Sequence, residues 1–198
     1  MKKTLPNEFK IYLLQVARGS IKEYLGCKKI SSSDKCFYNE INFKAGCFVT
    51  IYKTGTLRGC VGIFDNNNNI IDNVSIMAKQ SAFNDPRFPI LKESELAIID
   101  IEISIIAPMV LIVDLDSVEI GRDGLYIEKG SHSGVLLPQV ASERNWSKEE
   151  FLSYTCLKAS LDYDAWRKEA WDKDEFKVYR FEAVIFSEKE LFEKIPKI

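Results

Sequence analysis

The chain has 198 residues, 46% of them hydrophobic, with 27 basic and 29 acidic side chains and a formal net charge of −2. That is enough apolar material for one sizeable core, and no basic block concentrates charge as strong non-specific nucleic-acid binding requires. No apolar run is long enough to span a bilayer, and the basic start at Lys2-Lys3 leads into a stretch broken by Glu8, Lys10, Gln15 and Arg18, so no signal-peptide core is expected.

Five cysteines, an odd number without paired spacing, fit a reducing cytoplasmic setting. Thr4 is placed to cap a first helix, with Pro6 in its first turn. Phe9, Tyr12, Leu13, Val16, Ala17, Tyr24 and Leu25 recur at helical spacing, and Gly26 ends the helix. Arg18 reads as a solvated side chain on it. Residues 27–44 read as a polar connection around Ser31-Ser32-Ser33-Asp34. The runs Cys47–Tyr52 and Leu57–Ile63, joined by Thr54-Gly55, predict a hairpin. Asn66-Asn67-Asn68-Asn69 marks a turn and helix start, and Ile71, Val74, Ala78 and Ala82 form a second helical stripe. Pro86 and Pro89 stop that helix from continuing.

Ile99, Ile101, Ile103 and Ile105 alternate with Asp100, Glu102 and Ser104, which predicts a strand with one packed and one polar face. Val118–Ile120 and Leu125–Ile127 around Gly121–Gly124 read as a second hairpin, and Gly130–Gly134 as a loop containing His132, the one histidine. Val135–Leu137 reads as a short strand, Gln139–Asn145 as a helix, and Ser147 with Glu150 as a capping box for the next helix. Trp166 and Trp171 flank a charged segment. A last strand over Phe176–Phe186, with Tyr179, Phe181, Ala183 and Ile185 on one face, precedes a short helix from Glu188. The strands do not alternate regularly with helices, so the expected class is α+β: one domain over residues 1–198, with a largely antiparallel sheet flanked by helices.

Chemistry concentrates in Leu57-Arg58-Gly59-Cys60-Val61-Gly62 and Phe83-Asn84-Asp85-Pro86-Arg87-Phe88-Pro89. Strand alternation puts Arg58, Cys60 and Gly62 on one face, so a guanidinium is expected beside the thiol, where it would favour thiolate. Two readings stand for Cys60, a reactive thiol or a small packed strand residue. Two stand for Arg58, a ligand-binding cation or a structural salt bridge to Glu102 or Asp85. Asp85 can cap a turn and Arg87 can tie down its loop, or both can serve a site carried on a rigid loop. Cys27, Cys36, Cys47 and Cys156 are too scattered for a zinc pattern, and no motif for a nucleotide, an iron–sulfur cluster or a catalytic triad is present, so no metal and no cofactor is assigned.

The two motifs above, with Phe48-Val49-Thr50, Leu136-Leu137-Pro138-Gln139-Val140-Ala141, Glu143, Trp146, Phe151-Leu152, Cys156 and Lys158-Ala159, occur in an order that resembles the AMMECR-type domain family over nearly the whole chain. The resemblance implies a compact α+β fold with two lobes and a cleft between them. It also implies genetic company with a Memo-like protein, itself similar to extradiol dioxygenases, and a radical-SAM protein; it implies no particular reaction. Many microbial members have Gly or Arg near the loop where this chain has His132.

Three functional classes are carried forward. In the first, Cys60 acts as nucleophile or acid, Asp85 or Glu102 is the helper acid, and Arg58, Arg87 and Lys158 hold a small anionic ligand. Gly59, Phe88 and Gln139 complete the candidate ligand-binding set. In the second, the chain is an adaptor for the Memo-like and radical-SAM partners. The third, a nucleic-acid-binding regulator, is disfavoured by the balanced charge.

Overall fold

A computed structural model describes residues 5–27, 43–64, 67–168 and 176–192. Thr4, Cys36, Trp171 and the serine-rich connection of the sequence reading lie outside them. The chain divides into two compact units, Met1–Ile106 with Val184–Ile198, and Ala107–Ala183.

The first unit opens with helix α1 (Asn7–Tyr24), entered through Pro6. Its end is a Schellman turn: Gly26 sits at φ +78°, and Cys27 N donates to the Lys22 carbonyl at 3.0 Å. Strands β1 (Gly46–Lys53) and β2 (Thr56–Ile63) form the expected antiparallel hairpin, turning through Thr54 and Gly55, both at positive φ. Helix α2 (Ile70–Phe83) follows, capped by the Asn69 side chain accepting from Ile71 N at 2.8 Å. A 3₁₀ turn at Glu93–Glu95 leads to β3 (Ile99–Ile106), which pairs antiparallel with β1. The order β2-β1-β3 leaves β2 at an edge.

One face of this sheet carries Val49, Ile51, Ile101 and Ile103, all fully buried with Leu13, Leu14, Ala17 and Ile21 of α1 and Ile70, Val74 and Ala78 of α2. Alternation made that packing legible in sequence. Arg18 departs from the reading as a solvated residue. Its guanidinium meets Glu188 at 2.5 Å and donates to the carbonyls of Leu96 (2.8 Å) and Ile99 (2.9 Å), while Glu188 accepts from Ile101 N at 3.0 Å. The pair ties α1 to β3 and to the last short helix, because orphan carbonyls and a buried carboxylate need a multidentate donor.

The second unit contains β4 (Val110–Ile112), β5 (Asp123–Lys129), β6 (His132–Leu136), α3 (Pro138–Glu143), α4 (Lys148–Lys158), α5 (Ala165–Lys168) and most of β7 (Phe176–Ser187). Its sheet is antiparallel, with β5 between β6 and β7 and β4 on the other side of β7. The hairpin expected over Val118–Ile127 is corrected. Its first arm forms turns, and the hairpin is β5–β6, closing at Gly130-Ser131 with Lys129 opposite His132. Gly130 at φ +56° supplies the tight turn, so of the residues read as a loop Gly130 and Ser131 form the turn while His132–Gly134 are strand, and His132 is an exposed strand residue. The capping box of α4 is as read, with Ser147 Oγ accepting from Glu150 N at 3.2 Å and Glu150 Oε2 from Ser147 N at 2.9 Å. The core holds Leu125, Ile127, Phe151, Leu152, Cys156, Phe176 and Val178. In β7 the expected stripe through Tyr179, Phe181, Ala183 and Ile185 gives way to Phe176, Val178, Phe181 and Phe186, since the strand serves the core of each unit along different parts of its length. A short final helix, α6, spans Glu188–Phe192.

Helix α2 rests directly on β2. A Cβ at Gly59 would lie 2.2 Å from the Ser81 carbonyl oxygen, whereas one at Gly19, inside α1, meets nothing within 4 Å. Gly59→Ala is therefore expected to cost about 3 kcal/mol or more, and Gly19→Ala to stabilise by up to about 1 kcal/mol, measured by urea denaturation. Equal effects would contradict the backbone contact.

Candidate functional site

The hairpin register decides what surrounds Cys60. Near the turn, Lys53 pairs with Thr56 and Tyr52 with Leu57; beyond it Ile51 pairs with Gly59 and Thr50 with Cys60. Arg58 is thus an extra residue, a β-bulge, and strict alternation fails there. Cys60 shares a face with Thr50, and through the β1–β3 ladder with Glu102, in one row across three strands. The next row on that face is Gly62, Phe48 and Ser104.

Arg58 does not stand beside the thiol. It is buried and makes a two-pronged pair with Glu95, Nε to Oε1 at 3.1 Å and Nη2 to Oε2 at 3.2 Å. Lys53 reaches the same carboxylate at 3.0 Å, and Lys92 N donates to it at 3.0 Å. The salt-bridge reading of Arg58 describes this geometry, but its partner is Glu95 and not Glu102 or Asp85. The Arg58 guanidinium holds the Glu95 carboxyl down at about 2, far below its ordinary value.

The guanidinium near Cys60 is Arg87. Asp85 is buried and accepts from Cys60 N at 2.8 Å through Oδ2; Arg87 donates to the Asp85 carboxylate through Nε (3.0 Å) and Nη2 (2.8 Å), and to the Cys60 carbonyl at 3.0 Å. Arg87 N donates to Asp85 Oδ1 at 3.1 Å. The loop therefore supplies one acceptor and one donor to the outward-facing peptide groups of an edge residue, the role a further strand would otherwise fill. Pairing with Arg87 pulls the Asp85 carboxyl down to about 2. Phe88 lies under the Arg87 guanidinium, 5.4 Å from ring centroid to Cζ.

The thiol itself is part-exposed and accepts from Thr50 Oγ1 at 3.3 Å. Burial pushes it up from the ordinary thiol value, the Thr50 hydrogen bond and Arg87 act downward, and Asp85 and Glu102 act upward; burial prevails. The expected lowering by a neighbouring guanidinium is corrected: a cation is present, but desolvation and two carboxylates outweigh it. Burial thus disfavours the Cys60 thiolate, the form a nucleophilic cysteine needs. Cys47, fully buried, is pushed up to about 12.

Of the other candidates, Gly59 is the contact point of β2 with α2. There the Ser81 hydroxyl donates to the Val49 carbonyl (2.6 Å) and accepts from Val61 N (2.9 Å). Gln139 and Lys158 belong to the second unit. Gln139 lies in α3, its buried Oε1 without a hydrogen-bond partner among the described residues, and Lys158 is exposed at the end of α4. No group of three or more His, Cys, Asp or Glu side chains among the described residues is placed to hold a metal, and no helix there is long and apolar enough to cross a membrane. Sequence reasoning missed Thr50, Ser81, Glu95 and Ser104. Thr50 was accessible only through the hairpin register, which the bulge shifts.

The family profile described as AMMECR1 matches residues 14–186. A Methanocaldococcus jannaschii protein is 42% identical over 188 residues, covering 90% of each chain. A Thermococcus onnurineus protein is 40% identical over 195 residues, covering 93% of each. The crystal structure of an uncharacterized protein from Pyrococcus horikoshii superposes with a TM-score of 0.82 at 36% identity, covering 95% of both chains.

Two outcomes are expected. Alkylation of Cys60, followed by peptide mass spectrometry across pH, has its midpoint above the free-cysteine value of about 8.5; it moves higher still in Arg87→Ala and is unmoved in Arg58→Ala. A midpoint below that value, dependent on Arg58, would restore the activated-thiol reading. Separately, a carboxyl whose pKa falls on folding contributes stability above its unfolded value and loses it as pH drops toward the folded one. For Glu95 that window runs from the ordinary 4.5 down to about 2. Denaturation midpoints should fall across it in the native protein and fall less in Glu95→Gln, while Glu95→Ala, which strands buried Arg58, costs about 3–5 kcal/mol at neutral pH.

Proposed function

This chain belongs to the AMMECR1 family, and from that premise and the surroundings of Cys60 we propose that its first unit binds a small molecule on the sheet face that carries Cys60, Thr50, Glu102 and Ser104. The observation that carries the reading is the treatment of Cys60. Its N–H and carbonyl are both held by the Asp85–Arg87 loop and its sulfur by Thr50, yet the residue is left part-exposed. A residue needed only for packing does not require its peptide and its side chain fixed from two directions. Ser104 supports the same reading. It stands on the same face at 1% exposed, with its hydroxyl lacking a hydrogen-bond partner among the described residues, so that the face is polar beneath the part-exposed Cys60. Cys60 acts here as a protonated thiol, with Asp85 as positioning residue and Thr50 as its hydrogen-bonding neighbour. Both guanidiniums carried from sequence as anion-binding groups, Arg58 and Arg87, are engaged by carboxylates, which favours an uncharged or weakly charged ligand in this reading.

An adaptor role beside a Memo-like and a radical-SAM protein is the second reading. Val110, Leu111 and Val113, at and just beyond β4, are about half exposed, an apolar strip that suits a protein partner. Co-purification from the native host tests it.

The small-molecule reading is tested by ligand-observed NMR with a library of small polar compounds, run on native protein and on protein alkylated at Cys60. Some compounds should bind native protein with Kd below about 1 mM and weaken at least roughly tenfold after alkylation. A library whose binding is indifferent to the Cys60 adduct would refute the site.

A further inference from the structure

The first unit closes its strand edges in a repeated way. On β2, the Asp85 carboxylate takes the outward N–H of Cys60 and its partner Arg87 takes the Cys60 carbonyl. On β3, Glu188 takes the N–H of Ile101 and its partner Arg18 takes the Ile99 carbonyl. In both places a carboxylate–arginine pair stands in for a strand, with the carboxylate as acceptor and the guanidinium as donor.

The second unit leaves one edge without such a pair. Strand β6 is hydrogen-bonded to β5 alone. The two-residue turn Gly130-Ser131 makes Lys129 and His132 the closing hydrogen-bonded pair, and alternation along the ladder then puts Glu128 with Ser133 and Tyr126 with Val135 in non-hydrogen-bonded positions. The N–H and C=O groups of Ser133 and Val135 therefore point away from β5. No group among the described residues bonds them. The usual ways of blunting an edge are not used either. His132-Ser133-Gly134-Val135-Leu136 contains no Lys, Arg, Asp, Glu or Pro, and its register against β5 runs without a bulge.

We infer that this edge pairs with the β6 edge of a second copy of the chain, antiparallel about a two-fold axis at Gly134. That register sets Ser133 opposite the second copy's Val135, so the open peptide groups of each strand meet those of the other. Charge agrees with it. A strand paired with its own copy brings like charges together, and β6 carries no Lys, Arg, Asp or Glu to meet its like. Area agrees as well. A strand edge alone falls short of the roughly 800 Å² per partner that stable interfaces bury, so more surface is needed beside it. The end of α4 supplies it: a Cβ at Gly134 would lie 2.3 Å from Ala159 N, so this end of the helix rests on β6. Leu157, just before that contact, is exposed, as is Tyr154 one turn earlier, which stacks on Trp146 at 4.1 Å and meets Tyr163 edge-on at 5.6 Å. Aromatic residues held in place this way are the type enriched at protein interfaces.

Sedimentation equilibrium of the full chain tests the pairing. A monomer–dimer equilibrium is expected, with Kd below about 50 µM. Val135→Pro deletes the outward N–H without removing a bond to β5, so it should keep the native circular dichroism and raise that Kd at least roughly tenfold. Should Val135→Pro fail to fold, amide hydrogen exchange of the native protein decides, followed residue by residue by NMR. The Ser133 and Val135 amides should exchange at least roughly tenfold more slowly well above the Kd than well below it, while the Gly134 amide, bonded to β5, is protected at both concentrations. A chain that stays monomeric up to about 200 µM overturns the inference. So does a dimer whose Kd is unmoved by Val135→Pro, or one in which the Ser133 and Val135 amides exchange as fast as in the monomer.

Discussion

One extra residue in the β1–β2 ladder sets the chemistry of the first unit. Counted back from the Thr54-Gly55 turn without interruption, Lys53 opposite Thr56 would place Val49 opposite Cys60 and turn the cysteine into the core. The bulge at Arg58 shifts the partner to Thr50 and turns Cys60 to the other face. The same bulge releases Arg58 from the row of Cys60 and delivers it to Glu95. Two residues that sequence alternation places side by side are separated by a single insertion in the pairing.

The edge position of β2 explains the second motif. An edge strand presents unpaired peptide groups, and at Cys60 these are taken by one carboxylate and one guanidinium from the Asp85–Phe88 loop. Asp85 accepts four hydrogen bonds with two oxygens, from Cys60 N and from Arg87 N, Nε and Nη2. The loop that brings them is stopped from continuing α2 by its prolines and is anchored where Leu91 N donates to the Ala82 carbonyl at 2.9 Å. On the inner side, Gly59 and the Ser81 hydroxyl bring α2 onto β2 closely enough to fix the strand from below. Cys60 sits between these two constraints, which is why its position is so well determined.

Charge follows from the same contacts. Each arginine near the hexapeptide is matched by a buried carboxylate, Arg58 by Glu95 and Arg87 by Asp85, so little positive charge is left to draw an anion or a thiolate. The thiol remains protonated because desolvation disfavours its anion and the adjacent carboxylates add to that. A protonated thiol, a hydroxyl and a carboxylate in one row make a surface suited to recognition and proton donation.

Much of the architecture was legible from sequence alone. Helical spacing marked α1 and α2, the alternation of Ile99–Ile105 marked β3 and its packed face, and the hairpin over residues 47–63 followed from two β-prone runs and a glycine turn, because each signal is local. The proximity of the Asp85–Arg87 loop to Cys60 was an expectation of the sequence that geometry made specific. What only tertiary structure decided depends on register and on distant partners. The bulge, the identity of Arg58's partner, the pairing of Arg18 with Glu188, and the β5–β6 hairpin in place of a Val118–Ile127 one are each settled by which strand or carboxylate lies across space. A sequence states which side chains alternate; a one-residue shift in pairing, invisible in that alternation, decides what they face.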